Sequence, residues 1–258
     1  MTALLQVRGL SKAFGGVQAV RAVDFDLKPG ELLAMIGPNG AGKSTCFNLI
    51  NGQLQPDAGS VRLAGEALIG LTPRRIWRLG VGRTFQIAAA FASMSVCENV
   101  QMALIAYHRR LRALLPSASA LYRDEAMALL EQVGMAGQAE RACGILAYGD
   151  IKRVELALAL AAAPRMLLMD EPTAGMAPAE RKALMALTAS IVRERGIAVL
   201  FTEHDMDVVF GHADRIMVLD RGQKIAEGEP EAVRADPQVQ ASYLGSGAPA
   251  GAGWEVDA

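Results

Sequence analysis

The sequence predicts an α/β chain with an antiparallel, β-rich opening and an all-helical insert. Three features predict it. The first forty residues read as short strands divided by turns, a glycine-rich loop then joins an apolar strand to a helix, and two strand–turn–helix units follow a long helical stretch.

In order along the chain, LLQVRGL, SKAFGG, VRAVDFDLKPG and ELLAMIG read as successive strands and turns. Period-two alternation in AVDFDL and the turn at Pro29-Gly30 support this. A helix is expected from Gly42 through TCFNLING, closing at Gly52, and strand character returns in GSVRLAGEAL. TPRRIWRLG reads as a short helix with Pro73 in its first turn. From about Ser95 to Gly137 apolar residues recur at helical spacing, interrupted by PSASA. LAYGDIKRVELALALA looks like a helix start preceded by a turn containing Gly149. RMLLMDEP and GIAVLFTEHD read as buried strands on either side of the helix AERKALMALTASIVRER. A hairpin, RIMVLD-RG-QKIAEG, and two short helices in PEAVRADPQVQASYL follow. Residues 247–258, rich in Gly and Ala, read as a disordered tail.

Lys and Arg total 26 and Asp and Glu 27, so no global charge attracts nucleic acid. Hydrophobic residues make up 52% of the chain, yet no apolar run approaches the roughly 18–20 residues of a membrane span. The charges in MTALLQVRGLSKAF come too early for a secretory leader, so a cytosolic chain with apolar surface for a partner is expected. Cys46, Cys97 and Cys143 form no CxxC pair and read as inert thiols.

Chemistry concentrates in two places. Gly37-Pro38-Asn39-Gly40-Ala41-Gly42-Lys43-Ser44-Thr45 matches GxxxxGK[ST] between a strand and a helix. Glycines let backbone N–H groups turn inward around phosphates, the helix N-terminus adds partial positive charge, Lys43 supplies a full charge, and Ser44 offers a hydroxyl to Mg²⁺. The second place is MLLMDE, where Asp170 at a strand end suits the Mg²⁺ hydration shell and Glu171 suits activation of the attacking water. Two acids at a helix start would also favour its dipole.

With GRTFQ, LAYGD and TEHD added in this order, the chain resembles the ABC-type ATPases from about Leu5 to Gly245. The resemblance implies a P-loop NTPase core with an antiparallel β subdomain and an all-helical subdomain. The expected organisation is one domain over 1–246: a first core part at 1–90, the helical subdomain at 91–155 and a second core part at 156–246. ATP and Mg²⁺ are the implied cofactors. ATP would be sandwiched between one chain's phosphate loop and Ala147, Tyr148, Gly149 and Asp150 of the other. By the same resemblance Gln86 contacts Mg²⁺ and the attacking water, and His204 bridges the γ-phosphate to the dimer interface. Phe14 stacks on adenine, with a core aromatic as its plain alternative.

SKAFGGVQAV, GVGRTFQ, TEHDMDVV and EAVRADPQVQASYLG are similar to the ATPases of branched-chain amino acid importers, whose signatures tend to be of the AYGD type. In TAGMAP, Ala177 stands where most ABC ATPases carry an aspartate. The implied partners are a second ATPase subunit, identical or not, two membrane permease subunits and, through them, a periplasmic binding protein. The implied place is the cytoplasmic face of the inner membrane. Ile87 to Phe91 would line a groove for a permease helix, or else pack on the helical lobe. His108-Arg109-Arg110-Leu111-Arg112 would face lipid, or simply be a solvated helix face. An exporter of lipid or polysaccharide and a soluble ABC ATPase are the alternatives. The motifs do not fix the solute. With a serine-less signature, Asp150 is expected to turn away from phosphate and cap backbone N–H groups, and Tyr148 to pack on the partner.

Overall fold

The computed structural model describes residues 3–84, 90–108 and 121–244. The strands are β1 (Leu5–Phe14), β2 (Val17–Leu27), β3 (Leu32–Ile36), β4 (Ala58–Leu63), β5 (Glu66–Ala67), β6 (Val81–Thr84), β7 (Met166–Asp170), β8 (Ala198–Thr202), β9 (Arg215–Asp220) and β10 (Gln223–Gly228). The helices are α1 (Lys43–Ile50), α2 (Pro73–Arg78), α3 (Val96–Tyr107), α4 (Arg123–Gln132), α5 (Tyr148–Leu160), α6 (Pro178–Arg195), α7 (Met206–His212), α8 (Pro230–Ala235) and α9 (Pro237–Leu244). Gln86, Ile87 to Ala89, Arg109 to Arg112, PSASA and the tail at 247–258 lie outside the described residues.

Strands β2-β1-β4-β5 form an antiparallel sheet, and β10-β9-β3-β8-β7-β6 form a second sheet, parallel except for the β9–β10 hairpin. The opening differs from the sequence reading in one respect. LLQVRGL and SKAF are one strand, because β1 absorbs Gly9 in a bulge between Val7 and Leu10 and continues to Phe14.

The core divides by the two-residue period of the central strands. Leu32, Ala34 and Ile36 of β3 face one apolar layer, with Val199 and Phe201 of β8 and helices α3 to α7. Leu33 and Met35 face the other, with Ala198 and Leu200, helix α1 and the inner face of the antiparallel sheet. Every residue of β3 and of β8 is buried, as expected where a parallel sheet is covered on both sides. The helical insert starts at a capping box in which Ser95 accepts from Glu98 N–H and the Glu98 carboxylate accepts from Ser95 N–H. Pro73 opens α2 behind a Thr72 cap, as its sequence predicts. The sheets and helices thus leave the C-terminal ends of β3, β8 and β7 side by side, with the glycine-rich loop at the first of them.

Candidate active site

The loop after β3 is built from close backbone approaches. Gly37 has φ +150°, and a Cβ there would lie 2.1 Å from the Leu219 carbonyl oxygen. Gly42, the N-cap of α1, has φ +103°, and its Cβ would lie 2.3 Å from the Ala19 carbonyl oxygen. No L side chain fits either position, so strands β2 and β9 clamp the loop from outside. Gly222 N–H donates to Ala41 O at 3.0 Å and closes that clamp. Asn39 and Gly40 are exposed at the loop tip, while Ser44 is exposed and Thr45 half-buried in the first turn of α1.

Lys43 is 8% exposed, and its Nζ donates to Gly37 O at 2.6 Å and Pro38 O at 3.1 Å. Burial lowers its pKa, while the charges of Glu171 and Asp170 push it back up. The two motifs separated by more than a hundred residues of chain therefore share one electrostatic site.

Asp170 ends β7. Its Oδ1 accepts from Thr202 Oγ1 at 2.8 Å, and its Oδ2 faces Arg83 Nη2 at 3.4 Å. Glu171 sits at φ +48°, a left-handed conformation costly for a side chain of this type, and its N–H is held by Thr202 O and Oγ1, each at 3.1 Å. That turn aims its carboxylate at His204, whose Nε2 lies 2.9 Å from Glu171 Oε1. Asp205 then caps α7 through Val208 N–H and pairs with Arg181 at 2.5 Å, and Arg181 Nε donates to Met176 O.

Burial raises the Asp205 pKa, but the Arg181 bond and the backbone N–H bonds outweigh it and hold the carboxyl below its usual value. A depressed carboxyl contributes stability above its unfolded pKa and loses it as pH falls through the folded one. Asparagine still caps α7 but loses the ion pair with Arg181, so Asp205→Asn is expected to cost up to about 1 kcal/mol near neutral pH, with the gap to wild type narrowing as pH falls below the ordinary Asp value of about 3.9. Denaturant unfolding at both pH values checks this. An equal gap at both would show that ionisation of Asp205 contributes nothing.

Helix α5 begins at Tyr148 with Ala147 as its N-cap, so Gly149 lies inside the first turn rather than in a turn before it. Asp150 does not cap the helix. Its Oδ2 accepts from Gln138 Nε2 at 3.0 Å, because that side chain reaches it across the preceding turn. Tyr148 is 46% exposed and is touched from one side by its own chain: Lys152 Nζ stands 5.4 Å above the ring, and a Cβ on Gly175 would meet Tyr148 Cε1 at 3.4 Å. A Cβ on Gly149 would meet Glu180 Oε1 at 3.2 Å, so the start of α5 and the TAGMAPAE segment touch directly. Phe14 is 46% exposed beside Val17 at the tip of the β1–β2 hairpin, which removes the core-aromatic alternative.

Three features were not singled out from the sequence. Arg83 ties α1 to the acid motif, donating from Nη1 to Asn48 Oδ1 at 2.9 Å and Gln53 Oε1 at 3.0 Å while Nη2 faces Asp170. Lys152 and Glu155 form a buried pair at 3.0 Å, in which burial raises the Glu155 pKa against the pull of Lys152. A groove of about 450 Å³ runs between α2, β6, α3 and α5, lined among others by Ile76, Trp77, Ala103, Ala106, Leu158 and Ala159. Only Arg83 had a local signal, its place in GRTFQ.

The ABC transporter family model matches residues 20–174. The chain belongs to the ABC transporter ATPases. A model described as Branched-chain amino acid ATP-binding cassette transporter matches residues 223–249 of this ATPase. The ABC ATPase is 41% identical over 252 residues to the high-affinity branched-chain amino acid transport ATP-binding protein BraF of Pseudomonas aeruginosa, covering 94% of this chain and 98% of the relative. The same identity and coverage hold for LivG of Escherichia coli strain K12. Among solved structures, the ADP conformation of MJ1267, an ATP-binding cassette of an ABC transporter, superposes with a TM-score of 0.85 at 30% identity, covering 95% of this chain and all of that one. The fold is that of an ABC ATPase, and the chain is an ATP-hydrolysing transporter subunit. No described helix is long and apolar enough to cross a membrane.

Proposed function

We propose that this ATPase energises an ABC importer of branched-chain or related amino acids. The carrying observation is its near full-length similarity to importer subunits, together with the match over 223–249. That similarity favours import over export of lipid or polysaccharide and over a soluble role. In this reading residues 1–246 work as one domain, with 91–155 as the helical lobe.

The phosphate loop, Lys43 and the N-terminus of α1 bind the β- and γ-phosphates of ATP. Asp170 at the end of β7 and the exposed Ser44 in the first turn of α1 are oxygen donors of the kind that suit Mg²⁺, which keeps waters and relies on one or two protein ligands plus phosphates. Ser44, Asp170 and Gln86 would hold it, and when bound it would neutralise charge on the phosphates. Glu171 accepts the proton of the water that attacks the γ-phosphorus, and His204 fixes its carboxylate. Phe14 packs on adenine. Ala147, Tyr148, Gly149 and Asp150 present the start of α5 to the nucleotide of a second ATPase subunit.

Two permease subunits are the membrane partners, at the cytoplasmic face of the inner membrane, with a periplasmic binding protein on the far side. The groove between α2, β6, α3 and α5 has the apolar lining that receives an amphipathic helix, and we assign it to a permease helix. Phe91, 57% exposed, is not among the residues that line it. Ala106→Glu is expected to release the permease on purification while leaving ATP binding intact. Retention of the permease by this variant would exclude the groove.

The solute is tested in the purified transporter. Binding protein loaded with leucine, isoleucine or valine is expected to stimulate ATP hydrolysis. Stimulation only by a chemically different solute would overturn the amino acid reading.

A further inference from the structure

Asn99 lies inside α3, only 2% exposed, yet its side chain is spent on other segments. Its Oδ1 accepts from Phe91 N–H at 2.7 Å. Its Nδ2 lies within bonding distance of Phe91 O at 3.1 Å, Met94 O at 3.4 Å, Ser95 O at 2.9 Å and Cys143 Sγ at 3.2 Å. Two amide hydrogens are shared among these four acceptors, three on residues 91–95 and one at Cys143, so the group joins two segments. Neither a carboxylate nor an apolar side chain could both accept from Phe91 N–H and donate to its carbonyl.

The segments it grips are already paired. Gly144 N–H donates to Ala92 O at 2.9 Å, Cys143 N–H to Met94 O at 3.0 Å and Val96 N–H to Arg141 O at 2.9 Å, with Ser95 bridging Ala142 in antiparallel fashion. A Cβ on Gly144 would lie 3.1 Å from Ala92 O and 3.3 Å from Ala92 Cβ, so a larger residue presses on Ala92 and pushes against the pairing of the strips by a few tenths of an ångström. One strip, 91–95, follows the sequence segment that carries Gln86. The other, 142–144, runs through Leu146, whose N–H bonds Cys143 O at 3.3 Å, straight into the Ala147 cap of α5.

We infer that Asn99 is a positioning residue for the LAYGD end of α5: it locks strip 91–95 onto strip 142–144 and thereby sets where α5 begins. This rests on the reading that LAYGD completes the nucleotide site of a second subunit. Among the described residues, the bonds of the Asn99 side chain go to Phe91, Met94, Ser95 and Cys143, none of them a nucleotide-binding residue. Loss of Asn99 therefore acts on turnover, while ATP binding by the phosphate loop of the same chain is spared.

The test uses the purified transporter, with steady-state ATP turnover and the ATP affinity of this chain measured side by side. Asn99→Ala is expected to lower kcat by roughly tenfold or more, the scale of a misplaced catalytic element, with ATP affinity held within about twofold. Gly144→Val, which presses on the same strips from the other side, should give the same split. Gly149→Val serves as reference and should silence turnover. If Gly149→Val is silent while Asn99→Ala and Gly144→Val turn over normally, the role of Asn99 is overturned and the LAYGD reading stands. Normal turnover by Gly149→Val overturns the LAYGD reading, and the inference with it. Loss of ATP binding by Asn99→Ala alone leaves the decision to Gly144→Val. Loss by both shows that the strips merely hold the fold together, which also overturns the inference.

Discussion

Glu171→Gln is expected to bind Mg·ATP with near-normal affinity and lose at least about 10²-fold in turnover, the usual scale of general-base catalysis. Glutamine keeps the length and planar end of the side chain, and the backbone bonds of residue 171 to Thr202 O and Oγ1 do not depend on the carboxylate. What disappears is the negative charge, and with it the capacity to take a proton from water. His204 still has an acceptor within reach of Nε2, so the change stays local. Equilibrium nucleotide binding and phosphate release separate the two effects. Turnover within about threefold of wild type would remove Glu171 as the base.

Lys43→Ala is expected to fail earlier, at binding. The Lys43 ammonium is buried and pointed into the loop by Gly37 O and Pro38 O, so it is preorganised for phosphate oxygens. Hydrogen bonds to charged groups contribute about 1.5–3 kcal/mol, so ATP affinity should drop by roughly 10- to 150-fold. Alanine also leaves two loop carbonyls without their donor, so the loss should appear with ADP as well. Affinity unchanged for both nucleotides would show that the backbone N–H groups alone hold the phosphates.

Much of this site was legible because its chemistry is local. Gly37 to Thr45 lie within one turn and one helix start, and Asp170 and Glu171 are adjacent, so spacing alone identifies them. The hairpin Arg215–Gly228 and the Pro73 and Ser95 helix starts were legible for the same reason. Choices of tertiary partner were not. Asp150 could cap a helix or bond elsewhere, and only the placement of Gln138 decides it. Asn99 carries no motif, since its bond to Cys143 joins segments brought together by the fold, and the Lys152–Glu155 pair is local to α5 but its burial is set by what packs around that helix. SKAFGG reads as separate from LLQVRGL in one dimension, and only the pairing of β1 with β2 and β4, with a bulge at Gly9, makes SKAF part of the same strand.

The decisive measurement is ATP-driven uptake of leucine into proteoliposomes holding the complete transporter, with ATP supplied at the face bearing this chain and loaded binding protein at the other. Leucine should accumulate against its gradient with the wild-type chain and fail to accumulate with Glu171→Gln, although ATP stays bound. Accumulation that persists with Glu171→Gln, or ATP-driven movement in the outward direction, would contradict an importer powered by hydrolysis at this site.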